Sequence, residues 1–292
     1  MIQGIVNVIK PTGMSSHDVV SQLRRIYGIK KVGHAGTLDP LAAGVLPIYL
    51  GNATRLIEYG DSDIKTYHAE FILGIATDTE DGTGQIVEQK EVPLLTMDEI
   101  QYACNTFLGQ CMQQPSRYSS IHVNGVKAYK LARQQQDFIL SSRPIQIYDI
   151  QMLTYCNQRG RMIVRCSKGT YIRSLIRDLG KALGTCACMT YLVRTEAGVF
   201  HIEDAITLEA LSMQPEKYVL PLDTAIQHLH RLDLSAAQCK DLVCGRAVSF
   251  EGNELTQNMV IRIYDPTKRL MGIGTFDQAY QLIRPHKMFI QV

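Results

Sequence analysis

Between two apolar runs, "GIVNVIKP" at 4–11 and "VLPIYLG" at 45–51, the chain carries glycines at 28, 33, 36 and 44 and a proline at 40. That density of helix breakers forbids a long helix over 28–44 and predicts an exposed loop joining strands. Inside it, "GHAGTLDPLAAGVLP" at 33–47 contains a single carboxylate, Asp39. Its neighbours are small or apolar: Ala35, Gly36, Leu38, Pro40, Leu41, Ala42 and Ala43. A merely solvated acid would have polar company. Pro40 fixes the chain just after the acid and pushes Asp39 out of the helical region. A carboxylate on so stiff a loop is presented in one orientation, as catalysis needs. Asp-Pro is also a common structural turn pair, and the spacing alone leaves both readings open. An acid in apolar surroundings needs a cation, usually an arginine, to stay ionised. His34, beside the glycines, reads as a hydrogen-bonding residue or as a catalyst.

The rest of the chain alternates strand and helix signals. "GIVNVIKP" is a β-rich run ended by proline. Ser15 with Asp18 forms a capping box for a helix over about 16–27. "VLPIYLG" and "TYHAEFILG" read as strands, and "ATDTEDGTG" as a turn. "TMDEIQYACNTFLG" has a cap residue and helical spacing. "YDIQMLTYC" and "RMIVRCSKG" flank "NQRG" as a hairpin. "TYIRSLIRDLGKALG" is an amphipathic helix closed by glycine. After "LPLDTAIQHL" the pattern changes to one short helix, "SAAQCKDLVCG", and short strands in "AVSF", "MVIRIYD", "LMGIGTF" and "YQLIRP". This suggests two domains, 1–230 and a β-rich, barrel-like module over 231–292.

Charge is uneven although the formal net charge is only +2. From 157 to 194 there are eight basic residues against one acid, Asp178. They are Arg159, Arg161, Arg165, Lys168, Arg173, Arg177, Lys181 and Arg194. Such asymmetry suits a phosphate-rich partner. It would also arise from a solvated face balanced elsewhere. The eight cysteines include no C-x-x-C pair and no histidine at zinc-finger spacing, which argues against structural zinc. They read as thiols of a reducing cytoplasm. The start, "MIQGIVNVIKP", has no basic region before its apolar run, and no run is long enough to span a bilayer. A soluble cytoplasmic protein with no membrane partner is expected. The P-loop, G-x-G-x-x-G, H-E-x-x-H and G-x-S-x-G patterns are all missing from the sequence.

Three segments carry a specific resemblance. "KPTGMSS" at 10–16, "GHAGTLDPLAAGVLP" at 33–47 and "CSKGTYIRSLIRDLG" at 166–180 resemble the hallmark segments of the TruB family, the bacterial tRNA pseudouridine-55 synthases. "KTYHAEFILGIATDTEDGTG" at 65–84 resembles the family's tyrosine-bearing strand and acidic turn. The tail resembles a PUA domain, an RNA-binding module. The resemblance implies an α+β fold: a mixed, mainly antiparallel sheet with flanking helices, the pseudouridine synthase fold, plus the PUA barrel. It implies isomerisation of uridine in the tRNA T-loop, gripped at the T-arm and elbow by a monomer, without metal or cofactor. Asp39 would be the essential carboxylate and Arg173 its ion partner. Tyr67 would stack on the target base, Tyr171 would share the pocket and Leu192 would form its apolar wall. His34 would fill the space left by the flipped nucleotide, and Asp81 would lie near the site. Two positions depart from the family's habit. Ala43 stands where threonine is frequent, and Val193 precedes Arg194 where two arginines are frequent, which removes an expected phosphate contact.

A base inside folded RNA must leave its stack to be reached, at a cost of a few kcal/mol. Aromatic stacking returns roughly 1–3 kcal/mol of it. An apolar pocket also keeps out water that would hydrolyse a glycosyl intermediate. Three routes remain for Asp39: attack at C1′, attack at C6, or assistance to 2′-proton removal. Two other functions compete. One is a tRNA-binding folding factor whose catalysis is secondary or lost. The other is a nucleoside glycosidase, disfavoured because such hydrolases usually employ two acids.

Overall fold

In the computed structural model, which describes residues 2–60, 64–250 and 254–289, strand β1 (Gly4–Lys10) ends where Pro11 withholds the next backbone donor. Helix α1 (Ser16–Tyr27) begins at the expected capping box. Ser15 and Asp18 satisfy each other's backbone N–H groups, and Gly28, at φ 64°, closes the helix. The chain continues through β2 (Val32–His34), β3 (Ala43–Leu50), a 3-10 segment (Gly51–Tyr59) and β4 (Ile64–Leu73). A small hairpin, β5 (Ile75–Thr77) and β6 (Ile86–Gln89), carries the acidic turn. Then come α2 (Met97–Asn105), β7 (Gly109–Gln113), the short hairpin β8 (His122–Val123) and β9 (Val126–Lys127), and α3 (Ala128–Arg133). The expected hairpin is β10 (Arg143–Cys156) and β11 (Arg159–Ser167), turning through Asn157 and Gln158, both at positive φ. Helix α4 (Ile172–Ala182), β12 (Ala187–Ala197), β13 (Phe200–His201) and α5 (Leu208–Met213) follow.

The main sheet runs β1-β3-β12-β4-β11-β10-β7, with β2 added to β3 and β13 to β12. Its pairs are antiparallel except β12 with β3, which is parallel. The sheet is therefore mixed and mainly antiparallel. One face is covered by α1, α2 and α4. There Val19, Leu23, Ile100, Leu175 and Ile176 pack on Tyr67, Ala69, Phe71, Met162 and Val164. On β11 the residues alternate strictly between this core and the opposite face.

That alternation corrects the reading of 157–194 as one basic surface. Arg159, Arg161 and Arg165 are exposed on the sheet's open face, where Arg161 pairs with Glu70 at 2.9 Å. Arg173 and Arg194 are buried on the other side. Arg177 is tied up by Glu80 and Asp178. The stretch is one run in sequence and two faces in space: the three β11 arginines stand at alternate positions and share the open face, while α4 and β12 bury Arg173 and Arg194. The segment at 28–44 also differs from the exposed loop expected. β2 pairs with β3 through Val32–Leu50, Gly33–Tyr49 and His34–Ile48, and Ala35, Leu38 and Ala42 are buried.

The C-terminal part comprises β14 (His230–Asp233), α6 (Ala236–Val243), β15 (Val248–Ser249), β16 (Val260–Tyr264), β17 (Leu270–Asp277) and β18 (Leu282–Met288). Its strands form a separate five-stranded sheet, β14-β16-β17-β18-β15, with a core of Leu232, Leu242, Ile261, Ile263, Phe276 and Ile283. The sheet is docked. Tyr264, Leu270, Ile273 and Phe289 share an apolar cluster with Tyr49, Ala53, Leu56, Ala225 and Ile226. Polar contacts border it: Arg55 Nη1 donates to Met288 O at 2.7 Å, Tyr264 Oη to Asp223 Oδ2 at 2.5 Å, and Lys287 pairs with Glu58. Among the described residues no helix is long and apolar enough to cross a membrane.

Candidate active site

Asp39 is held from three directions. Ser16, 2% exposed, donates its hydroxyl to Leu38 O at 3.0 Å and accepts from Leu38 N–H at 2.9 Å. On the other side of Asp39, Pro40 O accepts from Gly13 N–H at 2.7 Å. Asp39 O accepts from Ala42 N–H at 3.0 Å, closing the turn. The "KPTGMSS" segment therefore splints the loop. Lys10, fully buried, steadies that splint by donating to Pro11 O and Met14 O at 2.8 and 2.7 Å. Burial, opposed by Asp39 and aided by Arg194, brings the Lys10 ammonium down to about 8.

The carboxylate meets its cation as expected. Arg173 Nε lies 2.9 Å from Asp39 Oδ2, with the arginine side chain 4% exposed and the aspartate 38%. The rest of the guanidinium is committed to the protein. Nη1 donates to Thr79 O at 2.9 Å and to Ser116 Oγ at 3.2 Å, and Nη2 to Tyr118 O at 3.0 Å. Such a fork cannot rotate without breaking several bonds, so it fixes the carboxylate it holds. Arg173 braces one oxygen of the carboxylate, and Asp39 lines a cleft.

That cleft encloses about 250 Å³, and its lining includes Asp39, Lys65, Tyr67, Tyr171, Arg173 and Leu192, with residues of 36–38, 119–120 and 169–172. Tyr67 comes from β4 and Leu192 from β12, adjacent strands whose Ala69 and Leu192 pair directly. Tyr171 precedes α4. Gln113, at the end of β7, clamps it by accepting from Tyr171 N–H at 2.8 Å and donating to Tyr171 O at 3.1 Å. Burial raises both phenols, so each stays protonated and neutral; Arg194 opposes the shift at Tyr67. The structure thus brings Asp39, Tyr67, Tyr171, Arg173 and Leu192 into one site.

His34 stands apart. It ends β2 and is not among the cleft's lining residues. Its Nδ1 is buried without a hydrogen-bond partner among the described residues, and burial, then Arg194, pushes the imidazole down toward the neutral form. Asp81 acts at one remove. Its Oδ1 accepts from Thr79 Oγ1, Thr83 N–H and Thr83 Oγ1 at 2.8, 3.0 and 2.5 Å, folding the acidic turn. That turn presents Thr79 O to Arg173 and Glu80 to Arg177 and Ser174.

Arg194 belongs to the basic run whose charge suits a phosphate-rich partner or a solvated face. It is fully buried instead, with Nε donating to Val45 O at 2.8 Å and Nη2 to Gly36 O at 3.1 Å, so it ties β12 to both ends of the Asp39 loop. Two glycines make room. A Cβ on Gly44, at φ 105°, would lie 2.2 Å from Arg194 O. A Cβ on Gly36, at φ 83°, would press on the Arg194 and Lys65 head groups. Sequence reasoning missed Lys10, Ser16, Gln113 and Arg194 as parts of this site. The only signal was that Lys10 and Ser16 lie in "KPTGMSS", which otherwise reads as a turn and a helix cap.

A mixed sheet with helices on one face, holding one arginine-braced carboxylate in a tyrosine-lined cleft, defines a pseudouridine synthase. The same fold is found in a solved Cbf5-Nop10-Gar1 complex, at 26% identity and TM-score 0.74 over 99% of this chain and 85% of that one. Residues 24–172 match the profile of the TruB family pseudouridylate synthase N-terminal domain, and residues 173–227 match that of the tRNA pseudouridylate synthase B C-terminal domain. Relatives named tRNA pseudouridine synthase B include one from Caldanaerobacter subterraneus subsp. tengcongensis, 38% identical over 99% of both chains. Another, from Alkaliphilus oremlandii, is 41% identical over 91% of this chain and 87% of its own. The chain belongs to the TruB family of pseudouridylate synthases.

Proposed function

We propose that this enzyme isomerises uridine to pseudouridine at position 55 in the T-loop of tRNA. The observation that carries the reading is the Asp39–Arg173 pair at the floor of the Tyr67, Tyr171 and Leu192 cleft. The N1–C1′ bond breaks, the uracil turns in place and C5 bonds to C1′, so the atoms balance within one nucleotide and no electrons are exchanged. Asp39 supplies the nucleophile or base, while Arg173, at 2.9 Å from Oδ2, holds the carboxylate in one orientation. Tyr67 stacks on the extruded uracil, Tyr171 and Leu192 close the apolar walls, and His34 occupies the gap left in the loop. The walls keep bulk water from the glycosyl carbon, which favours rejoining over hydrolysis.

The assignment of parts follows. Residues 1–230 form the catalytic unit, and 231–292 form a PUA-like unit that touches RNA away from the reacting base. The partner is the T-arm and elbow of tRNA, and the enzyme works as a monomer in the cytoplasm. Incubation with an unmodified tRNA transcript and chemical mapping of pseudouridine tests the reading. The expected result is mass-silent conversion of one T-loop uridine. Release of free uracil, or tRNA binding with no product, overturns it.

A further inference from the structure

The C-terminal end of α1 carries a group of cations that the site described above does not use. Arg24, Arg25 and Lys30 rim a shallow open depression floored by Gly28 and Ile29. All three are exposed, and none has an ion-pair or side-chain hydrogen-bond partner among the described residues. Lys31, also exposed, adds a fourth charge and reaches only a neutral group, Asn52 Oδ1 at 3.3 Å. No acidic residue occurs between Asp18 and Asp39. Asp18 sits at the opposite end of the helix, engaged with Ser15.

Cations favour a helix C-terminus through the macrodipole, and one or two would serve that purpose. Here the terminus is already capped by Gly28, whose N–H bonds Arg24 O. Four unneutralised charges in eight residues repel one another, a cost that an anionic ligand offsets. The depression is open and lacks the enclosed walls of a small-molecule site. Its position indicates what it meets. β2 runs from next to Lys31 to His34, a rise of roughly 10 Å, and enters the loop that holds Asp39. A nucleic-acid strand with one nucleotide in the cleft would have neighbouring phosphates within that span.

We infer that Arg24, Arg25 and Lys30 form a phosphate-binding surface that grips the RNA backbone a few nucleotides from the reacting base. The inference rests on the reading that the cleft receives a nucleotide of tRNA. The surface lies apart from the buried Arg173 and Arg194 and from the arginines on the open face of β11.

The test compares the full-length wild type with Arg24→Gln/Arg25→Gln/Lys30→Gln and with Arg24→Lys/Arg25→Lys. Affinity for unmodified tRNA is measured over a series of KCl concentrations, together with pseudouridine formation. The glutamine variant should bind about 10-fold or more weakly near ~0.1 M salt, and its log–log salt slope should shrink by roughly 2. Its kcat at saturating tRNA should stay within about 2-fold, as expected for loss of uniform binding. The lysine variant should keep the wild-type slope. Unchanged affinity and slope in the glutamine variant overturn the inference, as does a lysine variant that loses as much as the glutamine one. If the wild type makes pseudouridine and the glutamine variant binds like it, this inference alone fails. If the wild type makes none while the slope still falls with the three charges, the functional reading fails and the phosphate surface stands.

Discussion

The Ser16 hydroxyl holds both backbone polar groups of Leu38, the residue before Asp39, at 2.9 and 3.0 Å. A residue that the sequence assigns to the first turn of a helix thus sets the attitude of the Asp39 carboxylate. Ser16→Ala would leave the Leu38 N–H and C=O buried and unpaired, at about 1–3 kcal/mol for each unpaired group. We expect kcat to fall more than KM rises, because the carboxylate is misaimed while the cleft survives. Steady-state kinetics on tRNA check this. A pure KM effect would show that Ser16 supports binding only.

Asp39→Asn keeps the shape and loses the charge. Arg173 retains its bonds to Thr79, Ser116 and Tyr118, so the pocket stays assembled. Turnover should disappear while tRNA affinity stays within a few-fold, measured by product mapping and by equilibrium binding. Comparable turnover in the variant would remove Asp39 from the chemistry.

Arg173→Lys keeps the charge and loses the fork. An ammonium has three donors on a single nitrogen, and it cannot reach Asp39, Thr79 O, Ser116 Oγ and Tyr118 O together. Activity should drop on the order of 100-fold, with stability lowered by about 1–3 kcal/mol from the stranded buried acceptors. Thermal unfolding and kcat/KM measured together decide it. Full activity would mean that charge alone suffices.

Lys10 gives the fold a pH dependence with a definite sign. Burial moves its ammonium from 10.5 down to about 8. Between those values the unfolded chain holds a proton that the folded chain does not. The cost of the charged lysine, full below about pH 8, is therefore relieved as pH rises toward 10.5. Relative to Lys10→Met, the wild type should gain on the order of 2 kcal/mol between about pH 7.5 and 9.5. Denaturant unfolding of both proteins across that window measures it, and a pH-independent difference would refute the buried-cation account.

Removing 231–292 separates two contributions of the C-terminal sheet. Its RNA contacts would be uniform binding, so KM for tRNA should rise while kcat at saturation is largely kept. The truncation also uncovers Tyr49, Ala53, Leu56, Ala225 and Ile226, so the unfolding temperature should fall. Calorimetry and kinetics on the shortened chain test both. An unchanged KM would mean that the sheet does not touch the substrate.

Much of the local structure was legible because it is encoded locally. The Ser15–Asp18 capping box, the period-2 pattern of β11 and the amphipathic repeat of α4 each depend on neighbours a few residues away. The lone acid between Gly36 and Pro40 announced itself by its apolar company, and family resemblance supplied its partner. Three things only the tertiary structure decided. The basic run at 157–194 divides between two faces because β11 sends its three arginines to the open face while α4 and β12 bury Arg173 and Arg194. Arg194, a surface charge on any local reading, becomes the internal brace of the Asp39 loop because the parallel contact of β12 with β3 brings it beneath Val45 and Gly36. Gly44 has to be glycine because the Arg194 backbone occupies the space a Cβ would need. Each of these depends on which distant strand lies alongside, and that pairing is chosen by burial of whole faces at once. No short window of sequence contains it.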